Sequence, residues 1–309
     1  MSDARDKAAP KLPLWDTICL SYSIFFRDFR DVLSICWLWI IVLAPVMTIQ
    51  SALQWSWIGS AVAQLKAGGV PRQSVALSLR MPLELRLFTY GVGLLVAVAG
   101  VSIAVAWHRR IILGEQPRLS GSNVATGSLW RYVAVGIAIL LISFVPIVLG
   151  VLVVLLFLFS LIPLGVSGGH NVGLVVIVVV MVLCYLIFVT VMLRLCLLLP
   201  ARAVGDISVT FERAWKSTRG NTWRIFWGIL ACTLPVVLFQ IPFLAFWHLF
   251  GSPNPANFAS GSFSVPRLAL SAVFSIYYLL TLPIWIGFLS LSYLHFFERR
   301  RGLRSSTPQ

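Results

Sequence analysis

Acidic residues, histidines and paired cysteines are all scarce in this 309-residue sequence, which holds only 10 Asp and Glu, 4 His and 5 Cys. None of its six long apolar runs contains a carboxylate. Glu84 and Glu298 fall just outside runs, and Asp206 and Glu212 lie in a connection. A charge inside a bilayer is costly and is kept where it serves a function, so the absence excludes carboxylate relays and aspartyl proteolysis within the spans. His108, His170, His248 and His295 show no HExxH spacing and divide between opposite ends of the runs, so they read as interfacial packing residues rather than metal ligands. Cys19, Cys36, Cys184, Cys196 and Cys232 show no CxxC spacing and read as small core residues without disulfides. Ser143, Ser275, Ser290 and Ser292 lie in apolar runs with no GxSxG turn and no His or Lys placed to activate them. No nucleophile can be matched to a base. No cofactor motif is present.

Hydrophobic residues make up 59% of the chain against 11% charged. That excess suits a bilayer as solvent. The runs are about 32–53, 87–107, 132–164, 172–199, 223–250 and 268–297. Backbone groups in hydrocarbon must bond within their own segment, and alternating strand-like patterns are absent, so the runs predict six transmembrane helices. Residues 1–31 are expected to form a cytoplasmic N-terminus with an interfacial amphipathic helix and no signal-peptide cleavage site, 32–297 the membrane domain and 298–309 a basic cytoplasmic tail.

The net charge of +14 is confined to short connections. With no basic, aromatic-studded domain outside the spans, anionic phospholipid headgroups are the expected partner, or a protein partner, and nucleic acid is excluded. Eighteen Lys and Arg residues fall on the side holding both termini and five on the other, leaving Arg194 inside a run. The positive-inside rule places both termini in the cytoplasm. Trp107, Trp130 and Trp223 are among eight tryptophans near run ends, the usual place of interface anchors.

Phe29-Arg30, Trp130-Arg131 and Trp223-Arg224 each precede an odd-numbered run, which suggests three helical hairpins, each introduced by a cytoplasmic interfacial segment. In the first segment Leu14, Ile18, Tyr22, Phe25 and Phe29 recur at helical spacing, as expected of a helix lying in the interface. Ser208 to Arg219 predicts a second such helix, closed by Gly220. Gly93, Ala97, Gly100 and Ala104 form a small-residue stripe expected to admit a neighbouring helix.

Arg194-Leu-Cys-Leu-Leu-Leu-Pro200-Ala201, Phe211-Glu-Arg-Ala-Trp215 and Ser217-Thr-Arg-Gly-Asn221-Thr-Trp223-Arg224 together resemble the membrane domain attached to some bacterial glycerophosphodiester phosphodiesterases and related stand-alone inner-membrane proteins. The resemblance covers about residues 194–226. It implies a bacterial inner-membrane location and a six-span architecture. It transfers no activity, because in that family the phosphodiesterase chemistry belongs to a separate soluble barrel with no counterpart among these residues.

Two groups of residues stand out as candidate sites. Arg194 can snorkel to the interface or can join Arg109, Arg110, Arg202 or Arg219 in a phosphate-binding pocket. Gln240 sits between Pro235 and Pro242 in the fifth run, where broken helical bonding would suit a transport site. The leading expectation is a non-catalytic lipid- or partner-binding protein, with a transporter or permease component next and a membrane-lipid enzyme third. For the topology, cysteines placed at Ser305 and Ser252 should react with an impermeant maleimide from opposite faces of intact cells, Ser252→Cys from outside and Ser305→Cys only after lysis. The reverse pattern would invert the orientation.

Overall fold

In the computed structural model, residues 11–66, 81–116, 127–161, 170–251 and 265–298 are described. The described residues form α1 (Leu14–Arg27), α2 (Phe29–Lys66), α3 (Leu83–Leu113), α4 (Ser128–Leu161), α5 (His170–Leu195), α6 (Leu198–Ala203), α7 (Phe211–Ser217), α8 (Thr222–Gly251) and α9 (Val265–Tyr293), ending in a π-helical turn, Leu294–Glu298. Six helices are long and apolar enough to cross a membrane, α2, α3, α4, α5 continuing into α6, α8 and α9. The protein is an all-α, multi-pass membrane protein.

The helices outrun the apolar windows. At ~1.5 Å per residue the 38 residues of α2 measure about 57 Å, well beyond a hydrocarbon core of about 30 Å, so α2 extends past the bilayer or tilts. Beyond Gln54, α2 continues to Lys66. Helix α4 runs through Pro146 without interruption.

Sequential helices pack as hairpins, α2 with α3, α4 with α5 and α8 with α9. Helix α9 is the centre, touching α1, α2, α3, α6 and α8. Helices α4 and α5 form the outer pair, and the membrane window of α5 has none of its residues buried. Burial is concentrated at one end of the bundle, where Leu12, Ile18, Val32, Trp107, Leu197, Leu198, Ile225, Phe288 and Phe296 close together. This end holds most of the arginines and is called the basic end below.

Helix α1 packs into the bundle rather than standing apart from it. Thr17, Ile18, Ser21 and Phe25 are buried against its neighbours, while Trp15, Leu20 and Phe26 face outward. The reason is polar: Ser21 and Tyr22 find acceptors on α9 and α8, which an interfacial position would not supply. Asp28 ends α1 outside helical geometry, and Phe29, expected on the same face, begins α2. Of the second introducing segment, the described part before the third run is residues 127–131.

Pro200 explains why α5 and α6 are separate. It lacks the N–H that would bond the Cys196 carbonyl, and Leu199 N–H takes that carbonyl instead at 3.1 Å in a tighter turn. Helix α6 then ends in a Schellman motif: Gly205 N–H bonds Arg202 O at 3.2 Å and Asp206 N–H bonds Ala201 O at 2.8 Å, with Gly205 at φ +78°. Gly220, also at φ +78°, supplies the left-handed residue after α7 two positions beyond its cap residue Thr218.

The small-residue stripe of α3 packs less than expected. Gly93 and Ala97 are exposed, and a Cβ on Gly93 or Gly100 would meet nothing within 4 Å; only Ala104 is buried. Close helix approach uses other glycines. A Cβ on Gly228 would lie 2.0 Å from the buried Phe288 ring, and one on Gly150 would lie 2.3 Å from the Cys184 thiol. Gly228→Ala should therefore lower stability by about 1–3 kcal/mol through overpacking, while Gly93→Ala stays within about 0.5 kcal/mol. Denaturant unfolding in detergent checks this; equal effects would contradict the packing of α8 on α9.

Candidate functional site

The five candidate arginines separate into two groups. Arg109 makes a bidentate pair with Glu115, Nε to Oε2 at 2.9 Å and Nη2 to Oε1 at 2.7 Å, and its Nη1 donates to Ala203 O at 3.4 Å. Arg110 donates from Nε to Asp31 at 2.7 Å and lies 3.5 Å from Asp28, tying the end of α3 to the α1–α2 junction. Arg202 donates to the carbonyls of Asp206 and Val209 at 2.9 and 3.2 Å, which satisfies acceptors beyond the end of α6. These three hold the basic end together. The remaining two are Arg194 and Arg219.

Arg194 closes α5, its guanidinium carbon 4.2 Å above the Trp215 ring, and its Nε donates to Thr222 Oγ1 at 3.2 Å. Trp215 comes from α7 and Thr222 from the first residue of α8, so three elements fix one guanidinium. Arg219 lies near enough for its charge to act on Arg194. Among the described residues no carboxylate pairs with either. Glu212, the acid on α7, is engaged by Lys216 at i+4, which lowers its pKa by hydrogen bonding and by charge. Thr210 caps α7 by accepting from Arg213 N–H at 3.2 Å, which fixes the turn carrying Trp215. Two neighbouring cations without an acid, at the start of a long helix, make a local positive potential suited to an anion.

A cleft of about 330 Å³ opens near the end of α3, lined by Ile112, Leu113, Val204, Asp206, Ser208 and Tyr293 among others. Tyr293 donates to Asp206 Oδ2 at 2.7 Å, and Ser208 donates to Oδ1 from both N–H and Oγ. The carboxylate thus pins the loop after α6 to α9.

Pro235, Gln240 and Pro242 do not converge. Pro235 and Pro242 have exposed side chains and Gln240 is half-buried. The carbonyl groups that Pro235 releases, Ala231 O and Cys232 O, face α1, where Tyr22 donates at 3.5 and 2.8 Å. Burial, with smaller contributions from Cys232 and Tyr277, pushes the Tyr22 phenol up to about 12, so it remains a donor.

Several pairings had no local sequence signal. His108 and Ser290 lie 2.7 Å apart, Nδ1 to Oγ, although 182 positions separate them. A serine and a histidine are therefore matched after all. Both are fully buried and Ser290 also donates to Ile286 O, so no substrate surface reaches the pair and its role is to join α3 to α9. His108 is a core residue rather than an interfacial one. Trp107, expected as an interface anchor, is likewise buried, and its Nε1–H has no acceptor among the described residues. At the start of α8, Asn221 Oδ1 accepts from Leu12 N–H at 3.0 Å and Arg224 Nη1 donates to Leu12 O at 2.7 Å, clamping both backbone groups of one residue. Of the three aromatic–arginine pairs, Trp223-Arg224 thus serves the fold, while Arg30 and Arg131 are exposed. No protein-family model, curated protein or solved structure matches the chain.

Proposed function

We propose that this chain is a non-catalytic bacterial inner-membrane protein, with both termini cytoplasmic, that binds the headgroup phosphate of anionic phospholipid at Arg194 and Arg219. The observation that carries this reading is the Arg194 guanidinium fixed over Trp215 within electrostatic reach of Arg219, with no carboxylate paired to either among the described residues, while Arg109, Arg110 and Arg202 are engaged internally. Arg194 uses Nε for Thr222 and leaves its Nη groups for an anion, and the Trp215 ring holds it in place. The location supports a lipid over a free anion. Arg194 lies in the last turn of a helix whose membrane window has none of its residues buried, and exposed Trp223 and Trp227 flank the neighbouring start of α8. The bacterial location draws on the resemblance over residues 194–226, and the orientation on the charge asymmetry.

A transporter remains the second reading, and it draws on the interrupted bonding at Pro235. Its acceptors are filled by Tyr22 and lie away from Pro242, so Gln240 is a weaker centre for it than the fifth run suggests.

Titration of phosphatidylglycerol into detergent-solubilised protein should raise its melting temperature more than phosphatidylcholine does, since a ligand binding only the folded state stabilises it. The Arg194→Ala, Arg219→Ala double variant should lose that preference, with at least a roughly tenfold weaker apparent affinity, and inorganic phosphate should produce no comparable shift. Equal responses to both lipids, or an unchanged preference in the double variant, would overturn the reading.

A further inference from the structure

Helix α1 turns three chemically different sides to its surroundings. Its inner side, with Leu14, Thr17, Ile18, Ser21 and Phe25, packs on the bundle, so the residues that an amphipathic helix lying free on a membrane would insert are already taken. What is left outside divides in two. At ~100° per residue, Trp15, Cys19 and Phe26 fall within about 40° of one another, and Asp16, Ser23 and Arg27 fall within about 40° on the adjoining flank. The first flank is apolar and open, with Trp15 and Phe26 70% and 69% exposed and Cys19 exposed. The second is polar and also open, and Leu20 completes the outer surface beyond it.

The order of the two flanks follows the depth of the helices beside them. Next to the apolar flank stands Tyr22, whose Oη donates to Cys232 O at 2.8 Å, ~15 Å along α8 from its first residue and inside the segment apolar enough to cross a membrane. Beyond the polar flank, past Leu20 and Ile24, stands Asp28, which pairs with Arg110 near the charged end of α3. The apolar flank thus adjoins the deeper part of the bundle and the polar flank its charged end. We propose that α1, fixed against α8 and α9, is a further membrane-embedded helix beside the six spans. It lies along the boundary of the leaflet at the basic end, with Trp15, Cys19 and Phe26 against lipid acyl chains and Asp16, Ser23 and Arg27 in water. On α8, exposed Trp223, Trp227, Leu230 and Leu234 form a stripe beside the Ala231 carbonyl that Tyr22 reaches at 3.5 Å, so the lipid-facing surface of the spans continues onto α1. The assignment does not rest on Arg194 or Arg219.

Cys19 is a native reporter of the apolar flank. With Cys184→Ala in place it is the accessible thiol, because Cys36, Cys196 and Cys232 are buried. Full-length protein of this kind would be labelled with a nitroxide and reconstituted in phosphatidylglycerol–phosphatidylcholine vesicles. Parallel labels would be introduced by Phe26→Cys, Asp16→Cys and Ser23→Cys in a Cys19→Ala, Cys184→Ala background. Power saturation should give a ratio of oxygen to nickel-chelate accessibility at least roughly fivefold higher at Cys19 and Phe26→Cys than at Asp16→Cys and Ser23→Cys, since oxygen concentrates among acyl chains and the chelate stays in water. The Cys19 label changes no residue of α1, so its result stands whether or not the substituted variants fold. A nickel chelate that reaches Cys19 as readily as a label in water would overturn the assignment, because the apolar flank would then lie outside the bilayer. Exclusion of both oxygen and the chelate from Cys19 would also overturn it, because protein, such as a second copy of the chain, would then cover the flank.

Discussion

In hydrocarbon an unpaired carbonyl has no water to turn to, and each interior proline creates one by removing a donor and crowding the turn before it. The arrangement of this bundle follows from how those carbonyl groups are answered. Pro235 opens α8, and Tyr22 reaches the released pair. Pro283 opens α9 at Leu279 O, and the Cys36 thiol of α2 approaches it at 3.7 Å. Pro200 frees Cys196 O, which the tightened turn at Leu199 takes up. Each solution comes from a different element, and together they bind α1, α2, α8 and α9 into one unit. Helix α9 is central because it both offers acceptors and lies between the helices that supply donors.

A second consequence is the asymmetry between the two ends. Ion pairs and buried hydrogen bonds of long sequence separation accumulate at the basic end: Arg110 with Asp28 and Asp31, Arg109 with Glu115, Tyr293 with Asp206, and Asn221 and Arg224 on Leu12. Several of the arginines that suggest a lipid-facing charge are therefore engaged within the protein. Of the five candidate arginines, Arg109 and Arg110 pair with acids and Arg202 with loop carbonyls, while Arg194 and Arg219 pair with no carboxylate among the described residues.

The hydropathy of the chain sufficed for six helices, because bilayer thickness imposes a length that composition reveals. The left-handed turn at Gly220 was also readable, since glycine acts locally. Helix α1 was legible as a helix but not in its position, since Ser21 and Tyr22 choose partners more than 200 positions away. The same holds for His108 and Ser290. Trp107 looked like an interface anchor by its place near a run end, and the nearby Gly287 admits it to the interior. For the glycines, spacing alone pointed to the stripe on α3, whereas contact depends on which large side chain lies opposite, as Phe288 does at Gly228. Among the arginines, sequence supplied the set and could not tell which members have acids in reach.

The proposed function rests on Arg194 and Arg219, and lipid carried through purification tests it most directly. Native mass spectrometry of gently solubilised wild-type protein should show bound anionic phospholipid, and the Arg194→Ala, Arg219→Ala variant purified in parallel should have lost it. Anionic lipid retained equally by both proteins, or only zwitterionic lipid on the wild type, would contradict a headgroup site at this pair.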